Sequence, residues 1–284
     1  MDITVTELYV YPVKSLRGIA LSAARLTHRG LDHDRHWLVI DGQGRFLSQR
    51  RVPAMARIRT ALEDDTLILR HDEAGECAVP RGAVAGDPLE TEVWGDRCKV
   101  VDQGDDVAAW LTSALGAGLG PRLVCMAPDF ERRQSRPERY GPRAHTRFAD
   151  TAPFLITATG SLAALNEALE DAGHAAVPMD RFRPNIVVDG LPAFRERSVA
   201  ALEGPGYRLG LRHPRERCVI TTLDQATGER DPDGEPFRTL QRINPMPVQP
   251  GTGKAGGPAF GELSVLEDGD GRPIRVGDRL EEAL

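Results

Sequence analysis

Lysine is scarce in this chain. Of 36 basic side chains among 284 residues, only Lys14, Lys99 and Lys254 are lysine, and the rest are arginine. A basic excess is also missing, since 42 acids leave a formal net charge of −6. That balance argues against a general nucleic-acid binder. No apolar run approaches the roughly 20 residues needed to span a bilayer. The opening Met1-Asp2-Ile3-Thr4-Val5 has no basic stretch followed by an apolar one. Neither a secretory signal nor an Arg-rich transit peptide is expected, and the expected location is the cytoplasm. The four cysteines, Cys77, Cys98, Cys125 and Cys218, form no C-x-x-C pair. This removes the usual signature of zinc ribbons, thioredoxin-type sites and iron–sulfur clusters. Their scatter reads as free cytosolic thiols rather than a disulfide framework. What is present is 40% hydrophobic and 27% charged residues, the composition of a soluble globular protein with a sizeable core. The length allows one large domain or two ordinary ones.

Short alternating or apolar runs dominate. Residues 3–10, 37–40, 66–70, 92–101, 153–157, 186–188, 207–211 and 218–223 read as strands bounded by Gly, Pro and Asp. Asp41-Gly42-Gln43-Gly44 reads as a hairpin turn. Helical spacing is confined to 105–115 and to 161–171, the second opening on a capping serine, Ser161, and stopped by Gly173. Many strands and few helices predict a mostly β, barrel-like α+β protein. Residues 127–149 lack periodicity and set six arginines against three acids. They read as a solvated connector, or alternatively as an anionic-ligand lid or a docking surface for an acidic partner. Gly251-Thr252-Gly253-Lys254 lacks the spacing of a phosphate loop and is not read as a nucleotide site.

Several segments carry candidate chemistry. Cys218 stands where a loop enters a strand-like run, with Arg215 and Arg217 close by to favour its thiolate. It reads equally as a structural buried cysteine. His213 is the one base nearby, which is weak support for a nucleophilic hydrolase. Arg181-Phe182-Arg183-Pro184-Asn185 precedes an apolar strand and offers guanidinium and amide groups to a phosphate or carboxylate. Tyr11-Pro12-Val13-Lys14-Ser15 offers a lysine, a hydroxyl and backbone N–H groups. Each also reads as an ordinary exposed loop. His33 and His36 flank Asp34 and Arg35, but on a strand they point to opposite faces, a poor zinc spacing.

Taken in order, Tyr-Pro-Val-Lys-Ser, Asp-Arg-x-Trp, Asp-Thr-x-Pro-Phe, Phe-Arg-Pro-Asn-Ile and Arg-Cys-x-x-Thr-Thr-x-Asp resemble the MOSC family. These are molybdenum-cofactor enzymes related to the C-terminal domain of the cofactor sulfurase. The resemblance is closest to the amidoxime-reducing branch and to bacterial relatives that confer resistance to N-hydroxylated bases. It implies an α+β, mostly β fold, with an N-terminal β-barrel-like domain over residues 1–120 and a β-barrel MOSC domain over residues 121–284. It implies one molybdenum held by a pyranopterin dithiolene and one protein thiolate. Cys218 matches the metal-ligating, catalytic cysteine, and a soft metal favours such a thiolate. Lys14, Ser15 and Arg35 match positions that hold the terminal phosphate of the pterin. Asp150 and Thr151 match the segment at its polar edge, and Arg183, Asn185 and Arg217 match further contacts.

The implied activity is reduction of N-hydroxylated small molecules such as amidoximes, hydroxylamines and N-hydroxy nucleobases. The alternative is a cofactor carrier, or a sulfur-transfer protein using a Cys218 persulfide. Two features depart from relatives: Glu216 stands where serine is common, and Pro214 and Arg215 stand where a second cysteine often precedes the ligand. Some bacterial relatives continue into a plant-type iron–sulfur domain. No such extension is seen here, so electrons are expected from a separate ferredoxin- or flavin-type donor.

Overall fold

Ile3, Val5, Leu8 and Val10 are buried along the first strand, Ile3–Val10, which shifts register between Val5 and Glu7. This strand closes a barrel. The structure is a computed structural model that describes residues 2–81, 88–132, 136–247 and 256–283. Its largest sheet runs Ile186–Asp189, Phe154–Ala158, Ala259–Asp268, Tyr207–Glu216, Ala201–Gly204, Arg279–Ala283, Ile3–Val10 and back to Ile186–Asp189. Ile19–Leu21 is appended to the first strand. Phe154–Ala158 and Ile186–Asp189 are parallel, and the crossover between them carries the helix Thr159–Glu170. The barrel interior is filled by side chains such as Ile3, Leu8, Phe154, Ile186, Leu202 and Leu209.

The second core lies between residues 13 and 127. Trp37–Ile40, Arg122–Met126, Asp96–Asp102 and Leu89–Val93 form a four-stranded antiparallel sheet. Arg59–Glu63, Thr66–His71 and Gly75–Pro80 form a three-stranded one. Trp37, Leu47, Met55, Leu69, Leu111 and Leu123 pack together here, Leu111 coming from the helix Asp105–Leu115. The fold is thus mostly β and barrel-based, as the sequence predicts.

Four local expectations are corrected. The run 92–101 is not one strand: it breaks at Trp94-Gly95, both at positive φ (56° and 90°), into the hairpin Leu89–Val93/Asp96–Asp102. The run 218–223 is not a strand but a 3₁₀ turn over Val219–Thr222. Its β-branched residues read as strand, yet the Thr221 and Thr222 hydroxyls donate back to the carbonyls of Cys218 (3.0 Å) and Val219 (2.8 Å). Ser161 does not cap its helix, which starts at Thr159. Its hydroxyl instead donates to the buried Glu196 carboxylate at 2.8 Å. Within 127–149, the described residues 127–132 and 136–149 are no solvated connector: Tyr140 and Ala144 pack on Leu263 and Val265 of the barrel, and Phe148 enters the core beneath the four-stranded sheet. Arg132 of this segment is buried, holding Asp96 at 2.7 Å and the Ala149 carbonyl at 2.7 Å. Arg133 and the run Gly251–Lys254 lie outside the described residues.

Glu262 sits inside the barrel wall on Ala259–Asp268. Burial, reinforced by the nearby Glu196 carboxyl, pushes its pKa up to about 8. The folded state therefore holds this proton more tightly than the unfolded chain does. The resulting stability is present below the usual carboxyl range and is lost as pH rises through about 8. Glu262→Gln keeps the shape without the titration. Urea unfolding should give similar stabilities for the two proteins near pH 4.5. Near pH 9 the variant should be the more stable, by on the order of 3 kcal/mol. An unchanged pH profile would assign the effect elsewhere.

Candidate active site

The chain leaves the first barrel strand through Tyr11-Pro12-Val13 and turns at Lys14-Ser15. The Lys14 N–H donates to the Trp37 carbonyl (2.9 Å), and Ser15 adopts a φ of 67°. The loop around Arg35 is tied to the same turn, because the Arg35 N–H donates to the Tyr11 carbonyl at 2.7 Å. Asp34 fastens the two: its buried carboxylate accepts the Tyr11 N–H at 2.9 Å and the Arg35 guanidinium at 2.5 Å. Arg183 terminates the 3₁₀ turn Met179–Phe182 at a φ of 53°. Its guanidinium and that of Arg35 each lie 4.3 Å from the Tyr11 ring centre, placing the ring against both cations. Arg217 and Cys218 follow the long strand Tyr207–Glu216, where the Arg217 N–H donates to the Pro258 carbonyl at 2.7 Å.

These loop ends surround one cavity of about 440 Å³. All nine residues singled out from the sequence line it: Lys14, Ser15, Arg35, Asp150, Thr151, Arg183, Asn185, Arg217 and Cys218. Ser15, Arg35, Trp94 and Arg183 are non-glycine residues at positive φ that line this cavity. Each such conformation costs on the order of 1 kcal/mol and concentrates where function over-determines the backbone.

Six cations face the cavity, Lys14, Arg35, Arg50, Arg183, Arg215 and Arg217, against the acids Asp150 and Glu216. Asp150 is the hub. It pairs with Lys14, accepts Arg215 at 2.7 Å and accepts the Trp94 indole N–H at 2.9 Å. Burial alone would raise its pKa, but Lys14 and Arg215 outweigh that and hold the carboxyl well below the usual range. Arg215 also donates to the Thr151 hydroxyl at 3.1 Å. Arg183 and Arg217 differ. Among the described residues neither has a carboxylate in ion-pair range, and their guanidiniums donate to the Leu16 and Phe182 carbonyls, each at 2.7 Å. Burial, then the charge of Arg215, lowers the Arg217 pKa to about 9, which leaves it protonated at neutral pH. Its Nε is buried with no hydrogen-bond partner among the described residues. Asn185 lines the cavity too, yet its amide is occupied. It accepts the Leu155 N–H at 3.2 Å and donates to the Tyr9 carbonyl at 3.3 Å, joining two barrel strands.

Sequence reasoning missed Arg50 and Trp94, and noted Arg215 beside Cys218 and as a departure from relatives without placing it among the site residues. Arg50 lies in an unpatterned Gln-Arg-Arg run, and Trp94 was absorbed into a strand. Among the described residues no three His, Cys, Asp or Glu side chains cluster as metal ligands. Burial and nearby cations lower the pKa of His36 to about 3, and its ring meets that of His33 edge-on at 6.4 Å. The excess of cations suits an anionic ligand, and Cys218 is the one thiol in the cavity's lining.

A closed barrel, a second β domain and one cationic cavity ending in a single thiol define the class. The chain matches the MOSC N-terminal beta barrel domain over residues 2–118 and the MOSC domain over residues 143–281. It is 34% identical over 284 residues to mitochondrial amidoxime-reducing component 1 of Mus musculus, covering 97% of this chain and 81% of that protein. It is 33% identical to mitochondrial amidoxime reducing component 2 of Bos taurus, covering 84% and 71% respectively. With the molybdenum cofactor sulfurase of Anopheles gambiae it shares 31% identity over 83% of this chain and 32% of that longer protein. The chain belongs to the MOSC family. No helix among the described residues is long and apolar enough to cross a membrane.

Proposed function

We propose that this chain is a cytoplasmic, molybdenum-cofactor-dependent reductase of N-hydroxylated small molecules, with electrons supplied by a separate ferredoxin- or flavin-type donor. The observation that carries the reading is the convergence of Cys218 with Arg183 and Arg217, two cations lacking a counter-charge, in one cavity. An anionic pyranopterin fits that deficit, and the orphaned Arg217 Nε offers it a further donor. The similarity to amidoxime-reducing components supports the choice of reaction.

In this reading Cys218 ligates the metal as a thiolate. Lys14, Ser15 and Arg35 hold the terminal phosphate, Asp150 and Thr151 meet the polar edge, and Arg183, Asn185 and Arg217 complete the cradle. Molybdenum so held supplies two-electron oxygen-atom acceptance, the chemistry that breaks an N–O bond. The net reaction consumes two electrons and two protons and releases water. Ile220, Leu155 and Leu263 add apolar wall to the cavity, which strengthens the charge-assisted contacts by excluding water.

The test is to load the protein with cofactor, reduce it with a dye and assay benzamidoxime and related compounds. Turnover is expected. Intact bound metal with no turnover of any N-hydroxylated compound rejects the reading. Similarity to the sulfurase keeps sulfur transfer as the second reading. Its signature is sulfane sulfur on Cys218 and no molybdenum after native purification.

A further inference from the structure

The cavity opens beside a groove of about 620 Å³, and the two share Ser48, Arg50 and Trp94. At the boundary stands Trp94, 46% exposed, an unusual setting for the largest apolar side chain. Its exposure is enforced. The residue occupies a left-handed turn at φ 56°, and its indole N–H is fastened to Asp150, the carboxylate already committed to Lys14 and Arg215. The indole is thus aimed by the charge network of the cavity. The Phe46 ring lies T-shaped to it, centroids 5.0 Å apart, and extends the aromatic surface into the groove. The Arg50 guanidinium lies 4.8 Å from the indole ring centre, and no carboxylate among the described residues pairs with it.

We propose that Trp94 and Arg50 form the specificity-determining platform of the site, and that the favoured substrates carry a flat aromatic ring next to the N–O group. This rests on the reductase reading and narrows its substrate class. An indole, a phenyl ring and a guanidinium with no carboxylate partner among the described residues offer stacking and cation–π contact to a planar π-system. A groove of this volume suits a small molecule. A ring seated on Trp94 would place its substituent at the boundary shared with the Cys218 cavity.

Calorimetric titration of oxidised, cofactor-loaded protein with benzamidoxime and with the aliphatic acetamidoxime tests this. Trp94→Ala should raise the benzamidoxime Kd about tenfold, equivalent to about 1.4 kcal/mol. Its acetamidoxime Kd should stay within about twofold. Trp94→Phe should restore most of the affinity, and Arg50→Ala should weaken benzamidoxime selectively. In turnover the same contrast should appear in the ratio of the two substrates' KM values. Parent-like benzamidoxime binding by both alanine variants overturns the platform. So does equal weakening of both ligands, which would mark a structural role. If the parent binds with this selectivity but turns over no N-hydroxylated compound, the reductase reading fails and the platform stands.

Discussion

Cys218→Ser is expected to lose bound molybdenum and reductase activity together while the fold survives. The residue is half-buried, caps a 3₁₀ turn through its backbone, and lines the cavity with its side chain. The carbonyl that holds the turn accepts both the Thr221 N–H and hydroxyl, at 3.1 and 3.0 Å, and neither contact uses the sulfur. Serine therefore preserves the local structure. What it removes is the soft sulfur donor, and a hydroxyl is a poor replacement for a thiolate toward molybdenum. Even an outer-shell partner of a metal costs about 10–100-fold when removed, so loss of the ligand itself should exceed about 100-fold in activity. Elemental analysis of freshly purified protein, with thermal unfolding as a control, checks both halves. Retention of stoichiometric molybdenum in the serine variant would exclude Cys218 as the ligand.

Asp34→Ala is expected to be the most destabilising single change around the cavity. The carboxylate is buried, takes the Tyr11 N–H at 2.9 Å and pairs with Arg35 at 2.5 Å. Burial pushes its pKa up, while Arg35 and the Tyr11 N–H pull against that rise. A buried pair adds little net stability over an apolar substitute, but removing one partner leaves a buried charge and an orphaned N–H. A loss of about 3–5 kcal/mol in urea unfolding is expected. Asp34→Asn keeps an acceptor for Tyr11 and should lose distinctly less. Near-parent stability of the alanine variant would show that Arg35 finds solvent or another partner.

Much of the barrel was legible locally. Ile3–Val10 and Trp37–Ile40 were read within their observed bounds because apolar alternation or burial and flanking turn residues agree there. Two of the failures have a local preference overruled by a bond that the pattern does not display. Val-Ile-Thr-Thr favours a strand until the threonine hydroxyls turn back on the chain. Trp94 favours a strand until its indole is claimed by Asp150, 56 positions away.

The sequence by itself determined which chemical groups are available: a thiol between arginines, a lone lysine after the first strand, and two guanidiniums at a strand entrance. Only the tertiary structure decided which of those charges remain unspent. Lys14 is neutralised by Asp150, 136 positions distant, whereas Arg183 and Arg217 meet backbone carbonyls and keep their charge for a ligand. The reason is geometric. Counter-charge pairing acts over a few ångströms of space, and barrel closure, rather than sequence proximity, sets which groups come that near.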